Sequence, residues 1–282
     1  MADRPGLSGG TGGARELPAR TAPARELPAR TAPARELPAR GAPARENPSG
    51  RSLPQAARLP AVSGLGLDSE RARHHLVDQL VATYRLDDAL ARAMREFPRH
   101  RFVDPGLASR AYEDVALPIG HQQTISRPST VARMLDRILR YLSHDKRSRS
   151  RVLEIGTGCG YQAGLLSRLF AEVYSLERVK DLHLAAKRNL RGLKCFNLRM
   201  VFGDGQQGLV AAAPFDVIIA SACGRIIPEP WLEQLAVGGI LLTPVSNGTS
   251  QVLRQIVRRA ADQFDSAVVE EACFVPLLQG TQ

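Results

Sequence analysis

The chain has 282 residues, 44% of them hydrophobic, with a net charge of +10 and four cysteines. That is enough to bury one large core or two small ones. No apolar run approaches the ~20 residues of a membrane span, and the N-terminal Met1-Ala-Asp-Arg-Pro-Gly6 lacks the apolar core of a secretory signal. Cys159, Cys195, Cys223 and Cys273 form no C-x-x-C pair, which argues against a disulfide framework or a zinc site and fits reduced thiols in a cytoplasm.

The charge is unevenly spread. Residues 1–60 carry ten Arg against five acidic residues, so half the excess, +5, belongs to this stretch. The remaining +5 is ordinary for a soluble enzyme and is weak ground for a nucleic-acid partner. Within the stretch, Ala14-Arg-Glu-Leu-Pro-Ala-Arg-Thr-Ala-Pro23 recurs from Ala24 and from Ala34, with one Leu in each unit. Such units can bury no face, and their frequent prolines forbid helix. Residues 1–62 are therefore expected to be a disordered, partly polyproline tail, and residues 63–282 the folded domain.

In the folded part, Asp68 or Ser69 is placed to cap a helix over 71–82, and a second helix is expected from Asp87 to Phe97, ended by Pro98. His74, His75, His100 and His121 have no ligand spacing and read as surface or cap residues. Residues 110–129 hold turn residues and short β-like pieces. Pro128 then opens a helix with apolar Val131, Met134, Leu135, Ile138, Leu139 and Leu142.

From Arg151 the periodicity alternates. Strands are expected over 151–155, 172–177, 198–202 and 215–220, with helices over 160–170 and 179–191. A short helix over 230–235 and a strand over 238–245 follow, then two antiparallel runs over 251–258 and 267–276. Gly238-Gly239 and Asn247-Gly248 are expected at turns. This pattern predicts an α/β fold: a Rossmann-like, mostly parallel seven-stranded sheet, helices on both faces, and a C-terminal antiparallel hairpin.

Three marks in this half point to a ligand. The first is Val152-Leu-Glu-Ile-Gly-Thr-Gly-Cys-Gly-Tyr161, a strand running through Gly156, Thr157, Gly158 and Gly160 into a helix. Glycines let the backbone approach a ligand, and the helix start offers free N–H groups. The sixth position of the dinucleotide fingerprint is Tyr161 instead of Gly, and Glu154 precedes the turn. That combination suits a ligand without pyrophosphate that carries ammonium and sulfonium charges. Glu177, at the end of the next strand, is placed to accept ribose hydroxyls. Asp204-Gly205 follows the third strand, where Asp204 could accept an adenine amino group or simply make a turn. The three marks together favour an adenosyl ligand.

Several stretches jointly resemble the protein-L-isoaspartate O-methyltransferase family. They are Arg110-Ala-Tyr-Glu-Asp-Val-Ala-Leu-Pro-Ile-Gly120, Gln123-Thr-Ile-Ser-Arg-Pro128, the glycine motif, Glu177-Arg-Val179, Gly203-Asp-Gly205, 213–219, 235–244 and Phe274-Val-Pro-Leu277. The glycine motif marks only the S-adenosylmethionine methyltransferase superfamily; the Thr-Ile-Ser segment before a proline is specific to the family. The resemblance implies methyl transfer from S-adenosyl-L-methionine to the free carboxylate of L-isoaspartyl residues in damaged proteins, initiating repair through a succinimide.

It also implies that Ser126 lies beside that carboxylate, and that Gln123, Thr124 and Ile125 cover the cofactor. The glycine turn with Glu154, and Glu177, Asp204 and Gly205, would hold the cofactor. The implied partners are isoaspartyl-containing proteins and peptides, with no metal, nucleic acid or membrane, and a monomeric state. The chain departs from the family at Cys159, Arg127 and Ala222-Cys-Gly224. A nucleic-acid methyltransferase is the first alternative, but Ala220-Ser-Ala-Cys-Gly224 lacks an aromatic to stack a flipped base. A non-catalytic adenosyl-binding module working through the tail is the second.

Overall fold

The computed structural model describes residues 66–282, with side chains from Ser69 onward. The tail expected over 1–62 lies outside the described residues. Helix α1 (Gly66–Tyr84) begins before the expected cap, so Asp68 and Ser69 fall in its first turn. Ser and Asp are common in a first turn as well as at a cap, and spacing alone does not separate the two positions. Helix α2 (Asp88–Glu96) starts one residue later than expected, with Asp87 as its N-cap accepting the Ala89 N–H at 2.9 Å.

A small hairpin follows, β1 (Leu117–Gly120) paired with β2 (Gln123–Ile125). Helix α3 (Pro128–Tyr141) starts at Pro128 and buries Val131, Met134, Leu135, Ile138 and Leu139. A single turn, α4 (His144–Arg147), leads into the sheet.

The alternating half runs β3 (Arg151–Ile155), α5 (Tyr161–Leu169), β4 (Glu172–Glu177), α6 (Lys180–Leu190), β5 (Leu198–Phe202), β6 (Phe215–Ala220), α7 (Glu229–Gln234) and β7 (Leu235–Ser246). Strands β8 (Gln251–Ala260) and β9 (Gln263–Ala272) close it. The sheet order is β5-β4-β3-β6-β7-β8-β9. The first five strands are parallel and the last two antiparallel. The chain winds outward from β3 to β5 and then returns to β6 on the other side of β3. The crevice at the carboxyl ends of β3 and β6 is thus the switch point, where ligands bind in open α/β sheets.

Both faces of the central strands β3 and β6 are buried, and side chains alternate between them. Val152, Val217 and Ile240 lie in register and pack with α2, α3 and α5. Leu153, Ile218 and Leu241 face the other layer with Phe215 and Trp231. Trp231 is fully buried and its indole N–H donates to the Gly205 carbonyl at 2.8 Å.

Two boundaries differ from expectation. Gly238-Gly239 is not a turn but lies inside β7, with Gly238 at φ +74° near a register shift against β6. Glycine in a strand serves such a bulge as well as it serves a turn, and sequence does not separate the uses. Strand β9 ends at Ala272, several residues before Pro276. The hairpin turn after Ala260 sets its register, and the chain then leaves the sheet edge. Among the described residues no helix is long and apolar enough to cross a membrane.

Candidate functional site

Strand β3 delivers the chain into a turn in which Gly156, Gly158 and Gly160 all have positive φ, at +91°, +55° and +92°. Gly160 is the residue that most needs to be glycine. It is left-handed, it caps α5, and a Cβ there would sit 3.0 Å from Leu190 Cδ1. The turn opens onto a cleft enclosing about 880 Å³ of free space, mouth included.

Glu177 ends β4 and is 5% exposed. Its two oxygens accept the Gly158 N–H at 2.7 Å and the Val179 N–H at 2.9 Å. The carboxylate thus ties the glycine turn to the start of α6, and it also lines the cleft. Each oxygen keeps a second lone pair, so it can still accept from a ligand hydroxyl.

Glu154 sits one layer deeper and does not line the cleft. It is fully buried on β3, opposite Ser175 of β4. Ser175 Oγ donates to Glu154 Oε2 at 2.5 Å, and the Thr157 and Ser175 hydroxyls are 2.5 Å apart. Glu154 Oε1 has no hydrogen-bond partner among the described residues. Burial pushes this carboxyl up to about 8, against the opposing Ser175 bond. Thr157 lines the cleft, so Glu154 is linked to it through two hydroxyls.

Asp204 is likewise committed. Its Oδ1 accepts the Gln206 N–H at 2.9 Å and caps a short 3-10 turn, while Oδ2 accepts the Gly280 N–H at 2.8 Å. Its neighbour Gly205 lines the cleft, whereas Asp204 and Gly160 do not.

The hairpin supplies the opposite wall, where Gln123, Thr124, Ile125 and Ser126 all line the cleft. Its tip, Gly120-His121-Gln122, has φ of +89°, +50° and +57°. His121 Nε2 lies 3.6 Å from Asp181 Oδ2 at the start of α6. The sequence reading therefore places most of its candidates around one cleft: Gln123 to Ser126, Gly156, Thr157, Gly158, Glu177 and Gly205.

Sequence reasoning missed one wall. Residues 275–278 cross the cleft after leaving the sheet. The Cys223 N–H donates to the Val275 carbonyl at 2.7 Å, and the Leu277 N–H to the Cys223 carbonyl at 2.8 Å. Further on, the Gln282 N–H donates to Arg178 O and Lys180 N–H to Gln282 O, each at 2.8 Å. The available signal was Phe274-Val-Pro-Leu277, whose proline breaks the strand pattern and carries the chain off the edge.

The cleft offers what an adenosyl ligand with a cationic amino-acid end requires. It has a glycine-rich backbone turn, the Glu177 carboxylate on its wall, and one layer below, behind Thr157, the buried Glu154 carboxyl. With the sheet order and its switch point, this makes the chain a class I S-adenosylmethionine-dependent methyltransferase. Residues 71–282 match the profile of the family described as Protein-L-isoaspartate(D-aspartate) O-methyltransferase (PCMT). The chain belongs to that family.

A protein-L-isoaspartate O-methyltransferase of Burkholderia pseudomallei is 52% identical over 227 residues, 80% of this chain and 69% of its own. Among solved structures, a candidate enzyme of this kind from Plasmodium falciparum, in complex with S-adenosyl-L-homocysteine, has TM-score 0.64 and 25% identity. That match covers 73% of this chain and 98% of the other. A second protein-L-isoaspartate O-methyltransferase structure has TM-score 0.64 and 29% identity, over 72% of this chain and 65% of the other.

Proposed function

We propose that this chain transfers a methyl group from S-adenosyl-L-methionine to the free carboxylate of L-isoaspartyl residues in damaged proteins and peptides. The observation that carries this reading is the segment of β2 and Ser126 lining the same cleft as the glycine turn, in a chain of this family. When bound, S-adenosylmethionine supplies a methyl on cationic sulfur; an acceptor oxygen gains the O–CH3 bond as the C–S electron pair returns to sulfur.

A carboxylate of ordinary pKa near ~4 is already ionised at neutral pH, so no general base is required. The work left to the protein is alignment and exclusion of water. In this reading Ser126 orients one carboxylate oxygen by a hydrogen bond. The backbone of Gly156, Thr157 and Gly158 holds the amino-acid end of the cofactor, and Glu154, linked to it from below through Ser175 and Thr157, gives up its proton when that cation is bound. Glu177 accepts the ribose hydroxyls, and Gln123, Thr124 and Ile125 roof the cofactor. Gly160 and Gly205 shape the pocket through the backbone; the Asp204 carboxylate tethers the segment that carries Leu277 and Leu278 by accepting the Gly280 N–H.

We further read residues 63–282 as the catalytic domain, a boundary supported by the family match starting at residue 71. The chain is read as a cytoplasmic monomer acting on proteins, not nucleic acids. The lack of a base-stacking aromatic in Ala220–Gly224 supports that choice.

The test is transfer of labelled methyl to paired peptides, one isoaspartyl and one normal aspartyl. Base-labile label on the isoaspartyl peptide alone is the expected result. Label on neither peptide, with cofactor bound, would sink the assignment.

A further inference from the structure

One charged group lies directly behind the acceptor wall. Arg99, in a 3-10 turn (Arg99–Phe102), is 1% exposed. Its Nε donates to the Ala111 carbonyl at 2.9 Å, and Nη2 donates to the Ser126 carbonyl at 2.7 Å. Its Nη1 is buried with no hydrogen-bond partner among the described residues. The guanidinium carbon lies 5.1 Å from the centre of the Tyr161 ring. Ser126 and Tyr161 both line the cleft.

Arg99 makes no ion pair with a described carboxylate. Asp114 is the carboxylate that bears on it, and Asp114 Oδ1 is committed to the Ser129 N–H at 2.8 Å. A buried guanidinium stays protonated even where burial lowers its pKa, so this is a permanent cation held by two carbonyls and the Tyr161 ring, with no ion-pair partner among the described residues. An unpaired buried charge costs several kcal/mol, and an apolar side chain of similar volume would fill the space more cheaply. A role confined to packing leaves that cost unexplained.

We propose that Arg99 is a positioning residue that makes the acceptor side selective for a negatively charged ligand. It fixes the Ser126 backbone, and its field favours the isoaspartyl carboxylate over a neutral group of the same shape. This inference rests on the function proposed above. It also has a direction along the reaction. The carboxylate is an anion before transfer and a neutral ester after it, so the attraction holds the substrate and lapses on the product. Because the charge stabilises the ground state, its loss should appear chiefly in substrate binding and less in turnover.

The experiment uses the full chain and the variants Arg99→Met and Arg99→Lys. Each is titrated with one isoaspartyl peptide and with the same peptide bearing a carboxamide at that carboxyl, S-adenosyl-L-homocysteine being present. Melting temperature and the split between KM and kcat are measured alongside.

Arg99→Met should weaken the carboxylate peptide about tenfold, the scale of one charge acting through a partly screened interior. It should leave the carboxamide peptide within about twofold, and KM should rise more than kcat falls. Arg99→Lys, which keeps charge but not the fork, should recover most of the selectivity. If Arg99→Met weakens both peptides equally with a lowered melting temperature, the role is structural and the proposal fails. Unchanged selectivity in a folded Arg99→Met also overturns it. If the unmodified chain itself neither methylates the isoaspartyl peptide nor separates it from the carboxamide, the functional reading has failed instead.

Discussion

Replacing Glu154 with Gln tests the electrostatics beneath the cleft. A carboxyl raised from an ordinary 4.5 to about 8 resists ionisation in place by on the order of 5 kcal/mol. The sign follows from proton counting. At acid pH below 4.5 the folded and unfolded chains both hold the proton, and the contribution to stability is whole. Between 4.5 and about 8 the unfolded chain releases a proton that the folded chain keeps. Stability then falls by up to about 1.4 kcal/mol per pH unit and levels off once the folded group ionises.

Glu154→Gln removes that slope while preserving an acceptor for the Ser175 hydroxyl. Urea unfolding of both proteins at about pH 5.5 and about pH 8 isolates the effect, since every other titrating group is common to both. The difference should move toward the variant by on the order of 3 kcal/mol across that interval. The same change should flatten cofactor binding. A cation in the cleft draws the proton from Glu154, so S-adenosylmethionine affinity should rise with pH in the unmodified chain and not in the variant. A stability difference independent of pH would show that Glu154 is ionised in the folded protein, and would refute the reasoning.

Glu177→Ala should weaken S-adenosylmethionine by at least about tenfold in a calorimetric titration, because it removes an acceptor and strands the N–H groups of Gly158 and Val179. Unchanged affinity would remove Glu177 from the cofactor site. Ser126→Ala should slow methyl transfer with little change in cofactor affinity; the opposite pattern would move Ser126 out of the acceptor site. At Gly164 a Cβ would fall 2.1 Å from Phe97 Cζ. Gly164→Ala should therefore destabilise by about 1–3 kcal/mol from overpacking, despite alanine's better helix propensity. A raised melting temperature would contradict the tight α2–α5 packing.

The parts of this fold that were legible in sequence depend on local period. The strand–turn–helix from Arg151, the acidic end of β4 and the helix opened by Pro128 each rest on spacings of a few residues. The glycine-turn wall of the cleft was therefore readable. Pairings across long sequence distance were not. Asp204 looked free to meet a ligand because its partner, the Gly280 N–H, lies 76 residues away. Glu154 looked like a cleft residue because its position before the turn does not say which face of a doubly covered sheet it takes. Arg99, with its acceptors Ala111 and Ser126 on separate segments, has no sequence signature as a buried charge.

The segment 275–278 carries a consequence for biosynthesis. A chain emerging from the ribosome has β3, the glycine turn and Glu177 long before it has this wall. Domains fold as units while synthesis proceeds, yet here the sheet's first five strands could assemble around a pocket still missing one side. Firm retention of the methyl donor would then mark a chain whose synthesis has passed Leu278. Ligand binding stabilises only the state that binds, so the cofactor would favour chains in which this wall is in place.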